Sequence, residues 1–198
     1  TIDSQGPSYL YAAMESVARE RNFDGGAAVV IDVSGGNILA MASVPEYSSK
    51  VLSEGGPEDL INKYINDKNK PFINRAISGL YAPGSVVKPF VALAALSEGI
   101  ISPEKKIFSA GQISIPNPFF PDKKTIFKDW KAHGWVDMRQ ALAVSSDVYF
   151  YEIGGGFEDI KGLGINKIYE YAKKFGLGEK TGIDLLGEAE GTVPSPAV

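Results

Sequence analysis

Cysteine is absent from the 198 residues. That excludes disulfides and thiolate metal sites, and it leaves the redox character of the compartment without a signature. Histidine occurs once, as His133. Uninterrupted apolar runs are short, and none approaches the about 18 residues that read as a membrane span; any membrane attachment is expected through an anchor outside this chain. Nor is there an excess of positive charge. Lys and Arg number 20 against 24 Asp and Glu, for a formal charge of -4, which removes the basic footprint of a nucleic-acid binder. There is no internal repeat and no low-complexity segment, and Thr1 opens onto a helical pattern instead of a signal peptide. What is present suffices for a core: 44% hydrophobic and 22% charged residues describe one compact domain, or a large piece of one.

Ser8 to Arg21 places Leu10, Met14, Val17 and Ala18 at helical spacing behind Gly6-Pro7 and predicts an amphipathic helix. Gly26 to Val33 and Asn37 to Val44, separated by Ser34-Gly35-Gly36, predict a buried β-hairpin. Pro57 to Asp67 predicts a surface helix. Ser85 to Glu98 predicts a strong helix that buries Val86, Phe90, Leu93, Ala94 and Leu96, carries Pro89 in its first turn and stops at Gly99. From Ile100 to Trp135 the chain reads as a solvated loop, broken by Pro116, Pro118 and Pro121 and locally basic. Asp137 to Tyr151, with Asp137 as N-cap, and Ile165 to Phe175, closed by Gly176, predict two more helices. A hairpin preceded by a helix and followed by a helical cluster suggests α/β (α+β) layers, with strands of the sheet still to come.

The chemistry concentrates in two places. In Ser85-Val86-Val87-Lys88 the i and i+3 positions share a helix face, so a hydroxyl nucleophile and a candidate base can meet. The unpaired backbone donors of a helix N-terminus favour negative charge developing beside Ser85, and the Ser85 amide can form half of an oxyanion hole. Gly84 lets the chain come close to the nucleophile. Ser-x-x-Lys by itself is common by chance, as Ser102-Pro103-Glu104-Lys105 shows; there, serine as N-cap, proline at the first helical position and glutamate in the first turn explain a short helix. The second place is Ser145-Ser146-Asp147, inside an otherwise apolar helical stretch. One reading is a capped helix junction. In the other, Ser145 relays a proton between Lys88 and a leaving nitrogen while Asp147 holds the substrate backbone.

Asn74-Arg75-Ala76 with Tyr81-Ala82-Pro83-Gly84-Ser85-Val86-Val87-Lys88-Pro89 resembles the first active-site motif of the penicillin-binding proteins, and Ser145-Ser146-Asp147 resembles the second. The hairpin Ala28 to Val33 and Gly35 to Ser43 is similar to that family's opening strands. Aspartate at position 147, where most members carry asparagine, looks like the elongation-type (penicillin-binding protein 2) branch rather than the division-type branch. The family's third motif, Lys-Thr-Gly, lies in a β-strand. Lys180-Thr181-Gly182 stands instead among glycine-rich loop residues and is read as a decoy.

The resemblance implies a β-lactamase/transpeptidase-like fold, with residues 1–198 as the N-terminal portion of one domain cut before its third motif and C-terminal strands. It implies a peptidoglycan D,D-transpeptidase in which Ser85 is acylated by D-Ala-D-Ala stem peptides and, covalently, by β-lactams. Lys88 is then the proton acceptor, Ser145 the relay, and Asp147 and Gly84 belong to the substrate site. A D,D-carboxypeptidase or a β-lactamase of the same fold, or a non-catalytic penicillin-sensing module, shares these early motifs. The implied partners are stem peptides, β-lactams and proteins of the cell-elongation machinery, and the implied location is the periplasmic side of a bacterial inner membrane. No organic cofactor is implied. Some elongation-type members hold zinc near the second motif; here Asp122, Asp129 and His133 are candidate ligands, but Ser146 stands where the cysteine would be.

Overall fold

The computed structural model describes residues 5–117, 119–120 and 122–195. Pro118 and Pro121 lie outside them. The chain forms two compact units, one running through Tyr81 and including Gly182–Ala189, the other Ala82–Thr181 with the residues from Glu190.

In the first unit, α1 (Gln5–Arg21) packs against β2 (Ile38–Val44), which pairs antiparallel with β1 (Gly26–Ile31). The pairing runs from Gly26 opposite Val44 to Ile31 opposite Ile38, with one irregularity between Val30 and Ile31. Gly36 closes the turn at φ +73°, a conformation open to glycine at little cost. The hairpin is as expected, but it is not buried. Only Ala40, Ala42 and Val44 are inside, whereas Val29, Val30 and Ile31 are exposed, because β1 has a single neighbouring strand among the described residues. α2 (Ser49–Ser53), α3 (Glu58–Asn66) and α4 (Arg75–Ser78) follow. Asn74 caps α4 by accepting from the Ala76 N–H at 3.1 Å, and the Arg75 guanidinium donates to the carbonyls of Asn69 and Lys70. Gly182–Ala189 is tied to α4 through Ser78 Oγ to the Gly187 carbonyl, 2.7 Å, and the Ala189 N–H to the Ile77 carbonyl, 2.9 Å.

The second unit opens with a 3-10 turn, Gly84–Val87, that runs into α5 (Lys88–Ser97). Gly99 ends the helix at φ +63° and Pro89 sits in its first turn, as expected. The buried face meets the expected one at Ala94, with Phe90 half-buried. It comprises Lys88, Ala92, Ala94 and Ala95, while Val86, Leu93 and Leu96 are exposed. Leu93 and Leu96 lie on the side of the cylinder away from the alanines, while Val91 packs against the core and the Phe90 ring stands 4.8 Å from that of Phe175.

Ile107 to Val136 is not a plain loop. β3 (Ile107–Ser109) pairs with β6 (Gly134–Val136), and β4 (Gln112–Pro116) pairs with β5 (Lys124–Lys128), all antiparallel. Pro116 ends β4 without breaking it. Ser102 to Lys105 is one turn closed by Lys105 N–H to the Ser102 carbonyl at 3.1 Å, not a short helix.

The expected helix from Asp137 to Tyr151 is two helices. α6 (Met138–Ala143) starts at a capping box between Asp137 and Gln140, and α7 (Asp147–Gly155) starts at Ser146. The break between them is Ser145, at φ +55°. α8 (Gly164–Lys174) closes on Gly176, φ +73°. The core joins Ala92 and Ala95 of α5, Ile107, Val136, Met138, Ala141, Tyr149 and Ile153. Lys180 to Gly182 lies outside any strand.

Candidate active site

Gly84 has φ +60° and open space where a Cβ would stand. A positive φ of this kind is open to glycine at little cost. The following residue, Ser85, is exposed on the 3-10 turn, where a nucleophile must be reachable.

One turn on, Lys88 is buried, with a side chain 9% exposed. It leaves the alanine face of α5 and crosses to the α6–α7 junction, where Nζ donates to the Ser145 carbonyl at 2.7 Å, Ser145 Oγ at 3.0 Å and Asp147 Oδ1 at 2.6 Å. Ser145 Oγ in turn lies 2.9 Å from Ser85 Oγ. The line Asp147 Oδ1, Lys88 Nζ, Ser145 Oγ, Ser85 Oγ is thus continuous at hydrogen-bond distances. The structure brings Ser85, Lys88, Ser145 and Asp147 together, with Ser145 bridging the pair that was expected to meet directly. The aromatic ring of Phe150, itself buried, lies 5.6 Å from Lys88 Nζ and keeps water from that side.

The capped-junction reading of Ser145-Ser146-Asp147 holds, and the same turn sets Ser145 Oγ between Lys88 and Ser85. α6 ends by giving the Ser145 and Ser146 N–H groups to the carbonyls of Leu142 and Ala141. Ser146 Oγ, fully buried, caps α7 by accepting from the Tyr149 N–H at 3.4 Å. The turn between the two helices points the Ser145 hydroxyl at the nucleophile.

A carboxylate holds the junction from behind. Asp129 has no exposed side-chain surface; Oδ2 accepts from Ser146 Oγ at 2.9 Å, Ser109 Oγ at 3.2 Å and the Val148 N–H at 3.0 Å, and Oδ1 accepts from the Trp130 N–H at 2.8 Å. Burial raises the pKa of this acid. Hydrogen bonds from the Val148 and Asp147 N–H groups, the Ser146 hydroxyl and the Trp130 N–H outweigh it and bring the pKa down to about 2. Trp130 Nε1 donates to the Val144 carbonyl at 3.1 Å, gripping the residue before Ser145. Sequence reasoning selected Asp129 only as a metal ligand and passed over Trp130, because nothing in their spacing announces that they face α7.

The zinc candidates can be tested on their donors. Asp122 is exposed in a turn, and no group of three or more ligating side chains occurs among the described residues. His133 Nε2 is buried without a hydrogen-bond partner and lies 3.5 Å from Asp129 Oδ1. Yet the Asp129 oxygens already accept several hydrogen bonds, and Ser146 presents a neutral hydroxyl engaged with that same carboxylate. Two protein donors at most remain, short of the tetrahedral set zinc requires. The residues do not fit the ion.

Residues 26–197 match the model of the penicillin binding protein transpeptidase domain. The chain is 36% identical over 172 residues to the peptidoglycan D,D-transpeptidase MrdA of Haemophilus influenzae, covering 86% of this chain and 25% of that protein. It therefore spans about a quarter of the length of that curated relative. Among solved structures it is similar to penicillin-binding protein 2 of Helicobacter pylori in complex with MreC, at 33% identity and TM-score 0.76, covering 92% of this chain and 32% of that one. It is also similar to the penicillin G acyl-enzyme of penicillin-binding protein A from M. tuberculosis, at 28% identity and TM-score 0.68, covering 85% and 38%.

Proposed function

The chain belongs to the penicillin-binding protein transpeptidase family, and from that premise we propose that it is the nucleophile-bearing part of an elongation-type peptidoglycan D,D-transpeptidase. The observation that carries the reading is the hydrogen-bonded line from Ser85 through Ser145 to Lys88 and Asp147.

Ser85 Oγ attacks the carbonyl carbon of the penultimate D-alanine of a stem peptide. The Ser85 proton passes to Lys88, with Ser145 positioned to carry it, and the Asp147 carboxylate stabilises the positive charge Lys88 acquires. Return of a proton through Ser145 to the nitrogen of the departing D-alanine completes the break of the C–N bond and leaves an ester on Ser85. An amine from a neighbouring strand then attacks the ester, loses a proton by the reverse route and frees Ser85. The oxyanion is held by the Ser85 amide and a second donor, which we assign to a strand bearing a Lys-Thr-Gly motif outside residues 1–198. β-Lactams acylate the same serine by opening their amide ring. No organic cofactor and no metal take part. The location is extracytoplasmic, with an anchor in another part of the protein, and an MreC-like protein of the elongation machinery is a partner by analogy with the Helicobacter pylori complex.

The test is to label the complete protein with a penicillin and map the added mass. It is expected on the peptide containing Ser85 and is abolished in Ser85→Ala, whose folding is nearly unchanged. Mass on Ser102, or labelling that survives the substitution, overturns the assignment.

A further inference from the structure

The junction that aims Ser145 is under local constraint. A serine at φ +55° occupies a region that non-glycine residues enter at a cost, and it persists only where its surroundings fix it. Those surroundings converge on one side chain. Asp129 takes the hydroxyl of Ser146 and the N–H of Val148, both on the α7 side of Ser145. The adjoining Trp130 takes the Val144 carbonyl on the α6 side. The Trp130 backbone is itself fixed to Asp129 Oδ1. Ser109, from the far strand β3, anchors the carboxylate to the small sheet and is fully buried.

We infer that Asp129 is a positioning residue for acylation, a metal-independent clamp that holds Ser145 Oγ between Lys88 and Ser85 through hydrogen bonds alone. This rests on the proposed acylation of Ser85 and deepens it. The negative charge supplies what a bound ion would otherwise supply, a rigid centre joining β3, the Trp130 turn and the start of α7. It does so because Ser109, Ser146, Trp130 and Val148 each present a donor. An ionised, fully buried carboxylate aligned with the first N–H groups of α7 gains from the helix dipole as well as from the individual bonds. A hydroxyl at position 146 completes the clamp by giving its proton to Asp129 while its oxygen accepts from Tyr149.

The experiment uses the complete protein and a fluorescent penicillin, separating the reversible binding constant from the acylation rate constant. Asp129→Asn exchanges one accepting oxygen for an NH₂ group that faces donors. The acylation rate constant is expected to fall at least tenfold while reversible penicillin binding stays within about twofold, since Asp129 touches neither the nucleophile nor the ligand. Ser146→Ala, which removes one donor and leaves the carboxylate charged, is expected to fall by a smaller factor in the same constant. It serves in place of the first variant if that one does not fold. The wild type is expected to carry no stoichiometric zinc by mass spectrometry and to keep its rate after chelation.

Acylation of both variants at the wild-type rate overturns the clamp and leaves the assignment of Ser85 intact. A loss confined to reversible binding, or a wild type that holds one zinc per chain and slows on chelation, also overturns it. A wild type that penicillin does not label at all overturns the proposed function with it.

Discussion

The Asp147 carboxylate lies 2.6 Å from Lys88 Nζ, in a pair whose lysine end is closed to water and whose aspartate end is 31% exposed. Such a pair has two separable effects, charge and hydrogen bonding. Asparagine keeps an oxygen that accepts from Lys88 and removes only the charge; alanine removes both. Asp147→Asn is therefore expected to slow penicillin acylation of the complete protein by less than about tenfold. Asp147→Ala leaves the buried Lys88 side chain one partner short and is expected to slow it roughly ten- to a hundredfold, the range for losing a hydrogen bond to a charged group. Stopped-flow acylation rates for the two variants decide it, and an alanine variant as fast as wild type would remove Asp147 from the proton path. At this scale the sequence was informative where chemistry is local. Ser85, Lys88 and Ser145 meet as their motifs suggest. Asp147, read as a holder of substrate, also accepts a hydrogen bond from Lys88 through Oδ1. Asp129 took on the wrong role because a hydrogen-bond acceptor and a metal ligand are the same residue type, and only the donors around it tell them apart.

α7 carries the second motif at its N-terminus and an uncompensated acid in its body. Glu152 is 8% exposed; burial, with added repulsion from Glu158 and Asp159, raises its pKa to about 7. A carboxyl whose folded pKa exceeds its unfolded one binds more protons in the native state across the interval between them. Its contribution to stability is thus favourable at low pH and is lost as pH rises from about 4.5 to about 7. The shift corresponds to at most about 3 kcal/mol. Glu152→Gln, neutral at every pH, is expected to raise the melting temperature of the complete protein at pH 8 and to change it little at pH 5. An equal effect at both pH values would show that Glu152 is not the titrating group. Elements were legible in proportion to their length and periodicity. α1, α3, α8 and the hairpin stand close to where periodicity and glycines place them. β3 to β6 are three to five residues each, too short for a clear alternation, and β3 pairs with a strand far along the chain, which no local pattern records. The break between α6 and α7 was hidden because a positive φ at a serine has no signature in composition.

For the whole molecule, the features outside the core matter most. Val29, Val30 and Ile31 of β1 are exposed in the first unit, and Val86, Leu93 and Leu96 are exposed in the second. Sequence reading expected strands to come and also expected these side chains to be covered already; the hydrophobic pattern shows that a side chain is to be buried, not which segment buries it. Residues 1–198 alone are expected to react with fluorescent penicillin at least a hundredfold more slowly than the complete protein, since losing one oxyanion donor costs roughly 10²- to 10³-fold. Comparable rates would place the second donor within this chain and restore Lys180-Thr181-Gly182 as the third motif. The pairing of Lys88 with Asp147 has a further consequence, for the encounter that precedes any chemistry. Lys88, beside the nucleophile, is held against the Asp147 carboxylate at 2.6 Å. To an approaching carboxylate this part of the site presents no net attraction over long range, so it does not hasten collision. Capture of an anionic ligand by these residues is decided at contact distance.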